Sequence, residues 1–294
     1  MQNISDEIVK NIKELRSCGQ NIKFRPMKAG MTNSSFLFEF AGKKYVIRIN
    51  GAGTEELIDR QNEAAVYKTI AGYGLSDKVI CLNDEEGYKV TEFVEGARNC
   101  DPHNFSEVKL CMGKLKQFHD LRITTANTFD LFRQINFYES LWGGCSSKYS
   151  DYLQVKQKVF SLKNFINKYS EVKTLTHIDA VPDNFLIVDD NKVIIIDWEY
   201  AGMCDPHLDL AMFAVYAAYD KQQTDTLIDL YFDNNCLGHI RTKIYCYVAA
   251  SGLLWSNWCE YKMQCGIDFG AYAVQQYQWA KDYYEIAHNL IEKQ

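Results

Sequence analysis

The segment His177-Ile178-Asp179-Ala180-Val181-Pro182-Asp183-Asn184, followed by the apolar run 193–196 and then Asp197-Trp198-Glu199, decides the reading of this chain. An asparagine stands five residues after Asp179, and a second aspartate thirteen residues beyond that. Phosphoryl transfer to an alcohol calls for such a set. One carboxylate meets the acceptor hydroxyl, while an amide oxygen and another carboxylate hold the magnesium that bridges the nucleotide phosphates. Magnesium prefers hard oxygen ligands and usually takes only one or two carboxylates from a protein. Residues 185–188 and 193–196 read as two strands of a hairpin, with Asp189, Asp190 and Asn191 as its turn. That hairpin is expected to carry Asn184 and Asp197 to one rim, next to Asp179. Taken singly, an HxD triplet or an aspartate after an apolar strand is as often a turn residue or a cap. The combination, at this spacing, points to catalysis.

Working outward, Ile4, Ile8, Val9, Ile12 and Leu15 fall on one helical face that ends at Gly19. Strands are expected near 22–28, 34–40 and 44–49, the last two joined at Ala41-Gly42. A helix is expected over 55–70, with Leu57, Ala64, Ala65 and Tyr67 among its buried residues, then strands near 79–82 and 88–93. From Val94 helical periodicity dominates, as in 107–119, where Val108, Cys111, Leu115 and Phe118 form a stripe. Only the hairpin near 185–196 is expected to interrupt it. The prediction is an α+β chain: a small sheet lobe with one helix over 1–93, a hinge about 92–96, and a larger, mostly helical lobe over 94–294.

Composition narrows the classes. The chain has 294 residues, enough for a sizeable core, and 47% hydrophobic with 24% charged residues is a globular balance. A net charge of −6 argues against a nucleic-acid surface. The ten cysteines are scattered with no CxxC pair, so a zinc site or a thioredoxin-like motif is not expected, and reduced thiols are. Residues 1–10 lack a signal-peptide core, and the strongest apolar stretch, 210–219, is about half a membrane span. The expectation is a cytoplasmic protein without membrane insertion or nucleic-acid partner, acting on a small molecule. Nothing in the sequence speaks to oligomeric state.

A strand lobe, a hinge and a helical lobe with HxDxxxxN and an apolar-DxE element resemble the protein-kinase-like fold. More narrowly they resemble the aminoglycoside phosphotransferase and choline kinase superfamily, and within it the bacterial choline kinases. Ile178 stands where protein kinases have arginine, and Asp197-Trp198-Glu199-Tyr200 resembles the choline kinase D-[FW]-E-Y segment. The resemblance implies Asp179 as catalytic aspartate, Asn184 and Asp197 as magnesium ligands, and Glu199 as a helper of the metal or a substrate contact. It implies that His177 orders the loop and that Asp209 braces it; Asp209 also reads as a plain helix cap, and the two are compatible. Gly30-Met31-Thr32-Asn33-Ser34-Ser35-Phe36 resembles the phosphate loop of choline kinases, with Asn33, Ser34 and Ser35 as nucleotide contacts. Arg48 occupies the place of the strand lysine, with Glu63 as its ion-pair partner, and Glu92 and Val94 would offer backbone groups to adenine. The implied cofactors are ATP and Mg2+.

The acceptor clue is aromatic. Between Tyr245 and Tyr284 eleven of forty residues are aromatic, Trp255 and Trp258 falling on one helix face. A quaternary ammonium donates no hydrogen bond, so a protein holds it by ring faces and diffuse negative charge. Choline kinases carry W-x-x-W near this point and then F-G with a tyrosine, here Trp255, Trp258 and Phe269-Gly270-Ala271-Tyr272. Tyr272 and Tyr277 compete for the last role, and Tyr216 and Tyr219 are further candidates. Such stripes are also ordinary helix cores. The expected acceptor is choline. Ethanolamine, thiamine or an aminoglycoside is the alternative, less favoured because the late chain is more aromatic than acidic.

Overall fold

Residues 33–50 fold as a hairpin, β2 (Asn33–Phe40) and β3 (Lys43–Asn50), paired from Asn33 opposite Asn50 to Phe40 opposite Lys43. Its corner, Ala41-Gly42, has positive φ at both positions, +50° and +74°, as tight hairpin turns require. The computed structural model describes residues 22–27, 33–50, 57–84, 87–170, 172–189 and 192–293. The helix expected over 4–15, residues 30–32 of the expected phosphate loop, the first two residues of the helix expected over 55–70, and the 190–191 turn lie outside them.

β1 (Arg25–Pro26), β4 (Val79–Asn83) and β5 (Tyr88–Glu92) complete an antiparallel sheet in the order β1-β2-β3-β5-β4. Phe38, Ile47, Tyr88 and Val90 form its core, with Phe24, Phe36 and Tyr45 packed against them. Helix α1 (Arg60–Ile70) begins later than expected, because the Asp59 side chain accepts from the Asn62 amide and caps it there. Leu57 is buried, but ahead of the helix.

Two compact units divide the chain, Met1–Ala97 with Ile194–Glu199, and Arg98–Val193 with Tyr200–Gln294. Ile194–Glu199, which carries Asp197, thus belongs to the sheet unit; the Ile195 amide donates to Leu75 O at 2.8 Å. The second unit holds α2 (Phe105–Asp120), α3 (Leu131–Ser140), α4 (Tyr152–Ser161), α5 (Lys163–Tyr169), α6 (Leu208–Tyr216), α7 (Lys221–Phe232), α8 (Gly238–Gln264) and α9 (Ala271–Ile291). The fold is therefore α+β, as the residue patterns predicted.

Strands β6 (Arg98–Asn99), β8 (Phe185–Asp189) and β9 (Lys192–Ile195) form one small sheet, and the chain passes from one unit to the other within β9. The expected single interruption of the helical region is corrected by a second ribbon, β7 (Thr174–Thr176) against β10 (Gly202–Cys204). Three-residue strands are too short to show a period of two, and this pair forms only through distant sequence. Helix α8 is buried over nearly its whole length. Gly252 lets α9 lie directly on it: a Cβ there would sit 2.7 Å from Gln276 O and 2.8 Å from Ala280 N. Trp255 and Trp258 ride on α8, and Tyr272 and Tyr277 on α9.

Candidate active site

Strand β7 ends at Thr176 and delivers the HxD segment. The Thr176 hydroxyl donates to Cys204 O at 3.2 Å, which ties the loop's entry to β10. Ile178 then takes φ = +69°, a left-handed conformation costly for a β-branched residue. Its cost is met by Asp209 at the start of α6, fully buried, which accepts from the His177 amide at 2.9 Å and the Ile178 amide at 2.7 Å. Asp209 Oδ2 also lies 3.0 Å from His119 Nε2, and His119 Nδ1 lies 2.8 Å from the Tyr231 hydroxyl. A tautomer with the proton on Nε2 satisfies both bonds. Asp209 is thus a brace with three partners and not the cap of α6, whose N-cap residue is His207, and His177 is wholly buried.

Past Asp179 the chain makes one 3₁₀ turn, Pro182–Asn184, with proline at a position where no amide is missed. Asn184 Nδ2 donates to Asp179 O at 2.8 Å and to Asp179 Oδ2 at 2.9 Å. That commits its amide nitrogen and leaves Oδ1 as an acceptor for a cation. Asp179 and Asn184 are therefore neighbours held in one orientation.

In the sheet unit, Asp197 has φ = +68°, and Trp198 is buried with its indole donating to Ile195 O at 2.9 Å. Arg48, on β3, pairs with Glu63 on α1, with Asp197, and with Glu199 at 3.2 Å. Glu199 is buried and its Oε2 also accepts from Asn33 Nδ2 at 2.9 Å and Arg60 Nη1 at 3.2 Å. Lys89, beside Arg48 in the β3–β5 register, reaches Glu63 at 3.3 Å and the Tyr67 hydroxyl. Three cations thus interleave with three carboxylates.

The charges decide the protonation states. Burial alone would lower the Arg48 pKa, but Glu199 and then Glu63 raise it above its ordinary value. Burial would raise Glu63, yet Arg48, Lys89 and Arg60 bring it down to about 2. Lys89 is lowered to about 8, first by burial and then by Arg48. A carboxylate depressed in the folded state stabilises the fold above its unfolded pKa and loses that contribution as pH falls through its folded value. The melting temperature should therefore drop as pH falls from about 4.5 towards about 2. Glu63→Gln should start lower and show a shallower drop; equal slopes in parent and variant would exclude Glu63 as the source.

Ligand oxygens of Glu63, Asp197 and Glu199 lie within 4.8 Å of one another and are hard donors of the kind magnesium takes, but Glu63 and Glu199 are buried and held by Arg48 and Arg60, which leaves Asp197, its side chain 26% exposed, as the carboxylate of the three that a cation can reach. Asn33, Ser34 and Ser35 open β2, and Glu92 closes β5, opposite Tyr45, with Val94 just beyond it. Glu92 pairs with Lys78 at 3.0 Å.

In the helical unit the candidate aromatic residues do not all lie together. Tyr200, Trp255, Trp258, Phe269, Tyr272 and Tyr216 make a continuous series, with successive ring centroids 6.3, 5.9, 5.0, 6.3 and 6.3 Å apart. The series ends at the Asp179–Asn184 loop, where the Tyr216 hydroxyl donates to Asp183 Oδ2 at 2.9 Å. The pKa values of Tyr216 and Tyr272 are raised, first by burial, with Asp179 adding to both. Lys262 Nζ lies 5.6 Å from the Trp258 ring centre, so this ring already meets one cation. Tyr277 goes elsewhere, stacked on Tyr149 at 3.8 Å and donating to Asp151 at 2.8 Å. Tyr219 is buried against Phe105 and Phe213, and its hydroxyl donates to Pro102 O.

Sequence reasoning did not single out Arg60, Lys89, His119, Tyr231 or Asp183. Arg60 left one signal: a cation at the first residue of a helix opposes the helix dipole unless carboxylates hold it there. The others are ordinary residues in their own segments.

Against known proteins, a family model described as choline/ethanolamine kinase matches residues 24–281. The chain is 29% identical to the LicA protein of Haemophilus influenzae over 263 residues, covering 84% of this chain and 76% of that protein. Among solved structures, the choline kinase LicA from Streptococcus pneumoniae superposes with a TM-score of 0.84 at 30% identity, covering 97% of this chain and 99% of that one. A structure of LicA in complex with AMP gives 0.83 at 30% identity, with the same coverage.

Proposed function

Because the chain belongs to the choline/ethanolamine kinase family and has its protein-kinase-like fold, it is a small-molecule phosphotransferase that uses a nucleotide, and we propose that it transfers the γ-phosphoryl group of ATP to the hydroxyl of choline. The observation that carries the choice of acceptor is the ring series ending at the Asp179–Asn184 loop. Ring faces attract a cation that has no N–H to donate. Late-chain carboxylates that would take a primary ammonium are engaged elsewhere: Glu260 by Ser147 and Lys148, Glu285 by Lys158.

In this reading Trp255, Trp258, Tyr272 and Tyr216 hold the trimethylammonium group, and Asp179 orients the hydroxyl. The hydroxyl oxygen bonds to the γ-phosphorus as the bond to the β–γ bridging oxygen breaks. ADP leaves, and the hydroxyl proton passes to Asp179. Asn184 and Asp197 would hold Mg2+, which when bound offsets the charge on the phosphate oxygens. Arg48, aligned by Glu63, would bind phosphate oxygens through its planar fork, with Asn33, Ser34 and Ser35 beside it. Glu199, enclosed by two arginines and Asn33, keeps these parts in register. Glu92 and Val94 would offer backbone groups to adenine. Because its described cysteines are free thiols and ATP is its donor, we place the enzyme in the cytoplasm. No helix among the described residues is long and apolar enough to cross a membrane.

A coupled ADP-release assay across choline, ethanolamine, thiamine and kanamycin tests the reading; preference for any of the last three would displace it. The rings make a finer test. Each cation–π contact is worth about 0.5–2 kcal/mol, so Tyr272→Leu should raise the choline KM by roughly 2- to 30-fold with the ATP KM unchanged. Tyr277→Leu should leave the choline KM alone and cost only stability. The reverse pattern would move the acceptor site to the Tyr149–Tyr277 stack.

A further inference from the structure

We propose that Asp183 is the charge by which the acceptor site selects a cation over a neutral alcohol of the same shape, and that Tyr216 holds it in place. This rests on the ring series being the acceptor site. Asp183 takes no part in the reaction as derived above, yet both its main chain and its side chain are fixed. Its carbonyl oxygen accepts from Asn99 Nδ2 at 2.5 Å, and its Oδ2 accepts from the Tyr216 hydroxyl at 2.9 Å. Tyr216 is itself set edge-on to Tyr272, their centroids 6.3 Å apart, so the carboxylate stands at the end of the rings.

The division of labour follows from what each group can do. Ring faces draw a quaternary ammonium, but they also bury an apolar group of the same size, so rings alone discriminate weakly between the two. Asp179, fixed by Asn184 Nδ2 at 2.9 Å, serves the hydroxyl at the other end of the substrate. The late-chain carboxylates are turned to other work, Glu260 to Ser147, Asp268 to the Gly270 amide and Asp282 to Gln278. Asp183 is a carboxylate hydrogen-bonded to the last ring of the series. A fixed negative charge a few ångströms from the ammonium acts on charged and uncharged acceptors very differently.

The test compares choline with 3,3-dimethylbutan-1-ol, its uncharged carbon isostere, by kcat/KM. Asp183→Asn keeps an oxygen for Tyr216 and removes only the charge. It should lower kcat/KM for choline about tenfold, through KM, and leave the isostere unchanged. Asp183→Glu should restore most of the preference. Tyr216→Phe, which keeps the ring and removes its hydrogen bond to the carboxylate, should give an intermediate loss. Melting temperatures show whether each variant is folded, and Asp183→Glu against Asp183→Asn carries the comparison at similar size. A choline-to-isostere ratio in Asp183→Asn within about twofold of the parent would overturn the role of Asp183. A parent enzyme that fails to prefer choline over the isostere would instead remove the ring series as the acceptor site.

Discussion

Asp179→Asn should lower kcat by about 10²–10⁴-fold while nucleotide affinity stays near that of the parent. The loop geometry survives this change, because an asparagine oxygen can still accept from Asn184 Nδ2, as Asp179 Oδ2 does at 2.9 Å. What is lost is the charge that, in the proposed role of Asp179, orients the acceptor hydroxyl and takes its proton as the new P–O bond forms. Nucleotide contacts are assigned to Arg48 and the start of β2, in the sheet unit, so their affinity has no reason to change. Isothermal titration with a non-hydrolysable ATP analogue, beside steady-state rates, separates the two effects. Turnover within a few-fold of the parent would end the assignment of Asp179.

Asp209→Ala should be damaging in a different way, through both stability and rate. Its carboxylate is the shared acceptor for the His177 amide, the Ile178 amide and His119, all buried. An unsatisfied buried donor costs about 1–3 kcal/mol, so a loss of about 3–5 kcal/mol is expected even if one partner relaxes. Ile178 would also be released from its left-handed conformation, and Asp179 follows it in sequence. The rate should fall by about 10²-fold with both KM values little changed, because substrates still bind while the attacking geometry is lost. Asp209→Asn should fall in between: one oxygen can still accept, but its NH2 now faces a backbone N–H. Thermal melting and kcat measured together check this, and an alanine variant that melts and turns over like the parent would show that the loop holds itself.

The α+β order, the hairpin at 33–50 and the helix at Phe105–Asp120 were legible because each rests on local periodicity or turn chemistry. The misjudged parts have two causes, one local and one long-range. Helix α1 starts at its Asp59 cap, a choice made by one side-chain hydrogen bond within a helix-compatible stretch. The β7–β10 ribbon depends on residues 26 positions apart, Thr176 opposite Gly202. At the site, the segments carrying Asp179, Asn184 and Asp197 stood out by spacing and residue type, and Asp209 stood out only through the family resemblance. Their partners did not: Lys89 reads as an alternating strand residue, and His119 as the last turn of a helix. Only the folded chain shows that Lys89 meets Glu63 and that His119 meets Asp209.

The sequence by itself determined which groups are available for phosphoryl transfer and roughly where the strands and helices run, because side-chain chemistry and short-range periodicity are properties of the chain. The tertiary structure decided which groups act together. It turned Tyr272 and Tyr216 towards the catalytic loop and sent Tyr277 to Tyr149 and Tyr219 into the core. Helix α8, which carries Trp255 and Trp258, is buried almost all round, so it has no apolar stripe that distinguishes one face from another. Where every face is apolar, the direction of a ring is set by the neighbours that close packing supplies, and those come from distant parts of the chain.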